Sequence, residues 1–508
     1  MKKLVKFLTS SKFLLALMFI LNVALFVFAM TSLPNYVYPL FSSICALLLV
    51  GQVSRNTDTS ANGLVWLIVI ALMPFFGAAL YIQLHTSRCS KAKKRKFQNV
   101  SYQSFKTLEQ TQNSLDALSK FDQGSTNISK FVLNTEKWPV YTDTTSTYIS
   151  SGDDFFLDMF TAIQKAKKYV LVEYFQIKSG EVWEKMFNVL RLKAREGVEV
   201  KLLYDEYGCI DSFDDNKFFK KLNNHGIETV PFNKIAPALN TFNQCRDHRK
   251  LVVIDGKIAY VGGIDVCDEY ANIQSEYGVW KDAAVKLEGG AVWSYVVMFF
   301  NNWQVSAKKF IDVTKYKVSY EKNSKVKEFV QPYATTPLTK APIAKSILLK
   351  AINTATKSVV ITAPYLVFDH DVLQSIKLAA YSGVEVKIML PGVIRNKALY
   401  FLTRSYYTEF IKAGVKVYEY TQGYIHSRMV VIDENTAIIG SAHLDFRKLN
   451  THFESGAILH NSKTVTSIKQ DVDKLIGSSH AITLRDCKQR KIKEKLAARF
   501  LKFFAPFI

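Results

Sequence analysis

The sequence predicts an α/β protein in which N-terminal transmembrane helices precede two pseudo-symmetric α/β domains that share one active-site cleft. Three observations carry this reading. Long apolar runs crowd into the first 84 residues, and a pattern of short β-branched runs between helical stretches occurs twice. Each copy of that pattern ends on a histidine followed two positions later by a cation.

The apolar segment comes first. Phe13 to Met30 is unbroken and bounded by Lys12 and Thr31; Gly63 to Gln83 is a second run, with Trp66 and Tyr81 near its ends as interface anchors. Each approaches the roughly 20 residues that cross a bilayer core. Val37 to Val53 is also apolar but is interrupted by Pro39, Ser42 and Ser43, so residues 1–84 form an anchor of two or three helices. The first run is too long, and lacks the small-residue ending, for a cleaved signal peptide.

A formal charge of +22 over 508 residues implies a negatively charged partner. Beside the apolar N-terminus, that partner is an anionic membrane and not nucleic acid. The six cysteines (Cys45, Cys89, Cys209, Cys245, Cys267 and Cys487) form no CxxC pair, which favours reduced thiols and a cytosolic catalytic part. The basic cluster from Arg88 to Lys96 favours the same side.

Residues 85–135 are basic and polar and read as a connector leading away from the bilayer. The repeat follows. Its first copy (136–320) carries apolar runs at Tyr169–Phe175, Gly197–Leu203, Gly226–Val230 and His248–Asp255. The second (321–485) carries them at Ser358–Tyr365, Gly383–Met389, Gly414–Tyr418 and His426–Asp433. Strands alternating with helices predict βα units around a sheet covered on both faces. The tail (486–508) places Ile492, Leu496, Phe500, Phe503, Phe504 and Phe507 at helical spacing among lysines and arginines, the pattern of an amphipathic helix at a membrane interface.

The chemistry lies in His248-x-Lys250-x4-Asp255 and His426-x-Arg428-x4-Asp433. Residues two apart on a strand share a face, so each histidine projects with its cation. Asp255 and Asp433 lie an odd number of positions on, which turns them to the other face, to hold structure and not to react. Pairing the halves would bring two imidazoles and two cations into one cleft. One imidazole can then attack phosphorus while the other protonates the leaving alkoxide, with the cations on the non-bridging oxygens.

His-x-Lys-x4-Asp in two copies resembles the signature of the phospholipase D superfamily. The surrounding residues, Arg246 to Lys250, Gly262 to Asp265, Asp268 to Tyr270, Trp280 to Asp282, Thr403 to Tyr407, Leu444 to Arg447 and His452 to Glu454, resemble bacterial cardiolipin synthases in particular. The resemblance implies two phospholipase D-type domains and a transfer from one phosphatidylglycerol to another through a phosphatidyl-histidine, with no cofactor or metal. It counts His248, Lys250, Asp255, His426, Arg428 and Asp433 as the catalytic set, with His248 the nucleophile and His426 the acid and base. It implies that Asp282 and Glu454 orient the histidines, and that Asp265, Ser441 and His443 neighbour the phosphate. It also places the chain in a bacterial cell membrane.

Departures from the family pattern concentrate in the second copy. Arg428 stands where lysine is usual and His443 where asparagine is, Asp265 also takes an asparagine position, and Pro391 to Asn396 lacks a common aspartate. An added carboxylate at 265 is expected to weaken anion binding. Two other readings use the same residues: a hydrolase with water as acceptor, and a degenerate homologue that only binds lipid.

Overall fold

The apolar runs of the two copies pair into two sheets of matching order. In the first half the strands are β1 (Thr144–Ile149), β2 (Tyr169–Tyr174), β3 (Glu199–Asp205), β4 (Ile227–Phe232), β5 (Lys250–Ile254), β6 (Ile258–Gly262), β7 (Val279–Lys281) and β8 (Ala284–Gly289). In the second they are β9 (Phe329–Thr335), β10 (Ser358–Thr362), β11 (Glu385–Pro391), β12 (Lys416–Tyr420), β13 (Gly423–Ile425), β14 (Met429–Ile432), β15 (Thr436–Gly440), β16 (Glu454–His460) and β17 (Ser479–Ile482). The seven-stranded sheet runs β4-β3-β2-β5-β6-β8-β1, and its counterpart runs β12-β11-β10-β14-β15-β16-β9, with β17 added beyond β12.

The computed structural model describes residues 91–503 except 211, 213–217, 234–244, 275, 321–327, 340, 446–448 and 450, together with scattered earlier positions. It divides into two units. One takes 1–91, 235–245 and 503–508; the other takes 92–234 and 246–502 and holds both sheets. In the former, Leu17, Ile20, Leu21, Val23, Val27 and Phe28 are helical and exposed. The apolar runs at 13–30 and 63–83 fall mostly outside the described residues, and among those described no helix is long and apolar enough to cross a membrane.

Both sheets are mixed. β2, β3 and β4 are parallel, as are β10, β11 and β12, which helical crossovers allow. The strands that follow pair antiparallel, β5 with β6 and β14 with β15 through short turns. At the β5–β6 turn Asp255 and Gly256 take φ of +51° and +66°, and at the β14–β15 turn Asp433 and Glu434 take +49° and +61°. Two consecutive positive φ values suit a tight hairpin, and glycine meets that demand at only one of the two turns.

The helix Val292–Ala307 is apolar nearly all round and is buried from Val292 to Gln304, as such a helix must be. It also ties the halves, since Tyr295 Oη donates to Gly456 O at 2.9 Å. The expected connector is more than a spacer. It forms helices at Lys91–Phe105, Gln112–Phe121 and Gln123–Glu136, and the third packs on the second half through Ser125 to Thr436 and Ser129 to His460.

Candidate active site

Two short parallel pairings between the halves build the site. β7 lies beside β13 with Tyr424 opposite Trp280 and Ile425 opposite Lys281. One step further along that register His426 meets Asp282: the His426 amide donates to Lys281 O at 2.8 Å, and its Nδ1 lies 2.8 Å from Asp282 Oδ2. The other pairing repeats the device. Asp247 bridges Phe453, the His248 amide donates to Phe453 O at 2.9 Å, and His248 Nδ1 lies 3.0 Å from Glu454 Oε2. Each histidine therefore takes its carboxylate from the opposite half.

An ionised carboxylate can only accept, so these contacts assign the proton to Nδ1 and leave Nε2 an acceptor. Asp282 and Glu454 are wholly buried. Burial lifts the pKa of Asp282 to about 6, against the pull of the Arg428 guanidinium and the Ala283 amide. Glu454 is fixed by Ser441, whose Oγ donates to Glu454 Oε2 at 2.5 Å and accepts from the Ser455 amide at 3.1 Å. Ser441 thus supports the carboxylate beside His248.

The cations differ between the halves. Lys250 Nζ donates to His248 O at 2.9 Å and lies 3.3 Å from Asp265 Oδ2; burial lowers its pKa, and Asp265 partly offsets this. Arg428 reaches across, with Nη1 donating to Gly263 O at 3.2 Å and Nη2 2.9 Å from His426 Nε2. Only glycine fits at 263, because a Cβ would come within 2.4 Å of Asp282 Oδ1 and 2.6 Å of Arg428 Nη1.

Asp265 also accepts from the Gln176 amide at 2.9 Å and from Tyr270 Oη at 3.3 Å. Its charge is met by Lys250 and these donors. Asp255 and Asp433 are placed elsewhere and leave the catalytic set. Asp255 accepts from the amides of Lys167, Lys168 and Tyr169 at 2.7–2.9 Å, where β2 begins. Asp433 accepts from those of Thr356, Lys357 and Ser358 at 2.7–2.9 Å, where β10 begins. Burial pushes the Asp433 carboxyl up, but these donors outweigh it and hold the group below the usual range.

His443 lies close to both histidines of the repeated motif. Its ring centre lies 5.0 Å from that of His248 and 5.6 Å from that of His426, and it stacks on Tyr365 at 5.2 Å. Tyr365 is anchored by donating to Asp445 Oδ2 at 2.8 Å. A fourth imidazole, His452, has its ring 5.7 Å from that of His248 and its Nδ1 3.8 Å from Glu454 Oε1. The sequence reading gave His452 no role. The signal was present, since it lies two positions before Glu454 and so shares a face with it if the strand pattern extends back. Phe175 flanks His248, and Trp280, Tyr270 and Tyr424 surround His426.

Paired imidazoles and cations on a duplicated α/β frame define a phospholipase D-type phosphodiester centre. The chain belongs to the cardiolipin synthase, PLD-like domain family, whose model matches residues 159–287 and 348–476. An uncharacterized protein of Streptococcus mutans is 31% identical over 460 residues, covering 90% of this chain and 98% of that one. A cardiolipin synthase of Halalkalibacterium halodurans is 31% identical over 411 residues, covering 80% and 81%. Cardiolipin synthase 1 of Bacillus cereus is 29% identical over 458 residues, covering 88% and 89%. The fold is shared with a phosphatidylserine synthase from Haemophilus influenzae, with a TM-score of 0.58 at 15% identity over 76% of this chain and 98% of that one.

Proposed function

We propose that this protein is a phosphatidyltransferase of the cardiolipin synthase type, converting two phosphatidylglycerol molecules into cardiolipin and glycerol. The crossed pairing of His248 with Glu454 and of His426 with Asp282 carries the reading, because it equips two imidazoles for opposite roles in one cleft. The cardiolipin synthases among the relatives support the choice of substrate.

In the first half-reaction His248 Nε2 attacks the phosphorus of one phosphatidylglycerol. The bond from phosphorus to the glycerol headgroup oxygen breaks, and protonated His426 gives its proton to the departing alkoxide. In the second, the terminal hydroxyl of another phosphatidylglycerol attacks phosphorus, His426 takes the hydroxyl proton, and the N–P bond to His248 breaks. Lys250 and Arg428 bind the non-bridging oxygens. Arginine offers two donors where lysine offers one point charge, so the altered second motif keeps the positive charge that the transition state needs.

The same reading places the chain in a bacterial cell membrane, held by the apolar runs of residues 1–84 with the catalytic part on the cytoplasmic side. The helix Ile492–Phe503 supports contact with an anionic lipid surface, since Ile492, Leu496 and Phe500 form an exposed apolar stripe beside lysines and an arginine.

The test uses purified full-length protein in phosphatidylglycerol vesicles, with lipids and glycerol followed by mass spectrometry. Cardiolipin and glycerol should appear in equal amounts and vanish in His248→Ala. Phosphatidic acid in place of cardiolipin would make the protein a hydrolase, and no product at all would leave it a lipid-binding homologue.

A further inference from the structure

We propose that the cleft contains an inhibitory binding site for a zinc-class divalent ion, formed by His248, His452 and Glu454. Each offers one ligand atom, and the three atoms lie within 4.8 Å of one another. Two imidazoles and one carboxylate make a zinc donor set that leaves a fourth position for water or an anion. With metal–ligand bonds of about 2.0–2.1 Å, donors in a tetrahedral site stand roughly 3.4 Å apart, so closing this set takes side-chain movements of at most about 1.4 Å.

The site carries its own negative charge, which the nearby Lys250 ammonium partly offsets. Glu454 is wholly buried and receives the Ser441 hydroxyl, an interaction that holds it in place. The ring of His443, 5.0 Å from that of His248, brings another imidazole to the same wall. His452 is the member that the transfer reaction does not use, and it stands against the His248 ring on the side of Glu454.

Binding would engage the nucleophile and its carboxylate together. An imidazole whose electron pair is donated to a metal has none to offer phosphorus, so an occupied site does not turn over. This consequence rests on the transfer reading above; the binding itself does not.

The test uses full-length protein in detergent micelles, stripped with EDTA and titrated with Zn2+ against a chromogenic chelator, with Co2+ as a visible reporter. One ion per chain is expected, with the intense visible bands of four-coordinate cobalt. Phosphatidylglycerol turnover should fall in step with occupancy and return on chelation. His452→Asn and His452→Gln should weaken Zn2+ binding at least about tenfold and shift the inhibition curve by the same factor.

Equal affinity in the wild type and both variants would overturn the site, as would an occupied protein that turns over at the metal-free rate. Should both variants misfold, carbethoxylation of the wild type decides the matter: Zn2+ should protect His248 and His452, and unprotected rings would sink the proposal. A chain that binds Zn2+ but makes no cardiolipin in EDTA would refute the transfer reading alone. An active chain that binds none would refute the site alone.

Discussion

Asp282 joins burial to chemistry. Its ionised form accepts from His426 Nδ1, and burial lifts its pKa to about 6. Lowering the pH through that value protonates the carboxylate and releases the ring. Turnover should therefore fall about tenfold per pH unit well below 6 and level off above it. In Asp282→Asn the acid limb should flatten, and kcat should drop roughly 100-fold at pH 7. A pH profile of kcat in the vesicle assay, with unfolding followed separately, checks both; an unchanged limb in the variant would assign it to another group. Neither the 2.8 Å contact nor the burial could be read from Trp280-Lys281-Asp282 alone. His443 shows the same limit, for its sequence position could not tell that its ring lies within 6 Å of both His248 and His426.

The elements were the most legible part of the chain. Apolar runs between helical patterns marked β2 to β5 and β10 to β12 with β14 because periodicity is a local property, written in neighbouring residues. Sheet composition was less legible. The tight hairpins β5–β6 and β14–β15 arise from turns whose signal is a pair of positive-φ residues, one of them the non-glycine Glu434. Asp433 belongs to this scale, since its carboxylate receives the amides that open β10. Asp433→Ala should cost roughly 2 kcal/mol and lower the melting temperature by several degrees. At 20 °C kcat should stay within about twofold of wild type, because the side chain lies outside the cleft. Calorimetry beside the vesicle assay checks this, and a large loss of kcat in a folded variant would return Asp433 to the catalytic set.

At the scale of the whole molecule, two parallel contacts between the halves complete the site: β7 with β13, and Asp247 with Phe453. The partners they join are 206 residues apart for His248 and Glu454, and 144 apart for His426 and Asp282. Residues 1–320 and 321–508 produced separately should each lack detectable transfer, because each half keeps one histidine and the wrong carboxylate. Co-expression should restore cardiolipin formation wherever the two associate. Activity in either half alone, in the mass-spectrometric assay, would refute the shared cleft. The extensive burial of the helix Val292–Ala307, which bonds to β16, further argues against independent halves.

By itself the sequence determined the duplication, the strands that follow the histidines, and the cation two positions after each one. These are matters of spacing and residue type, and both survive in a linear string. Tertiary structure alone decided that the carboxylates cross between halves, that Asp265 answers Lys250, and that His443 and His452 crowd around His248. Those relations depend on which backbone lies beside which, and on burial that leaves each charge few partners to choose from.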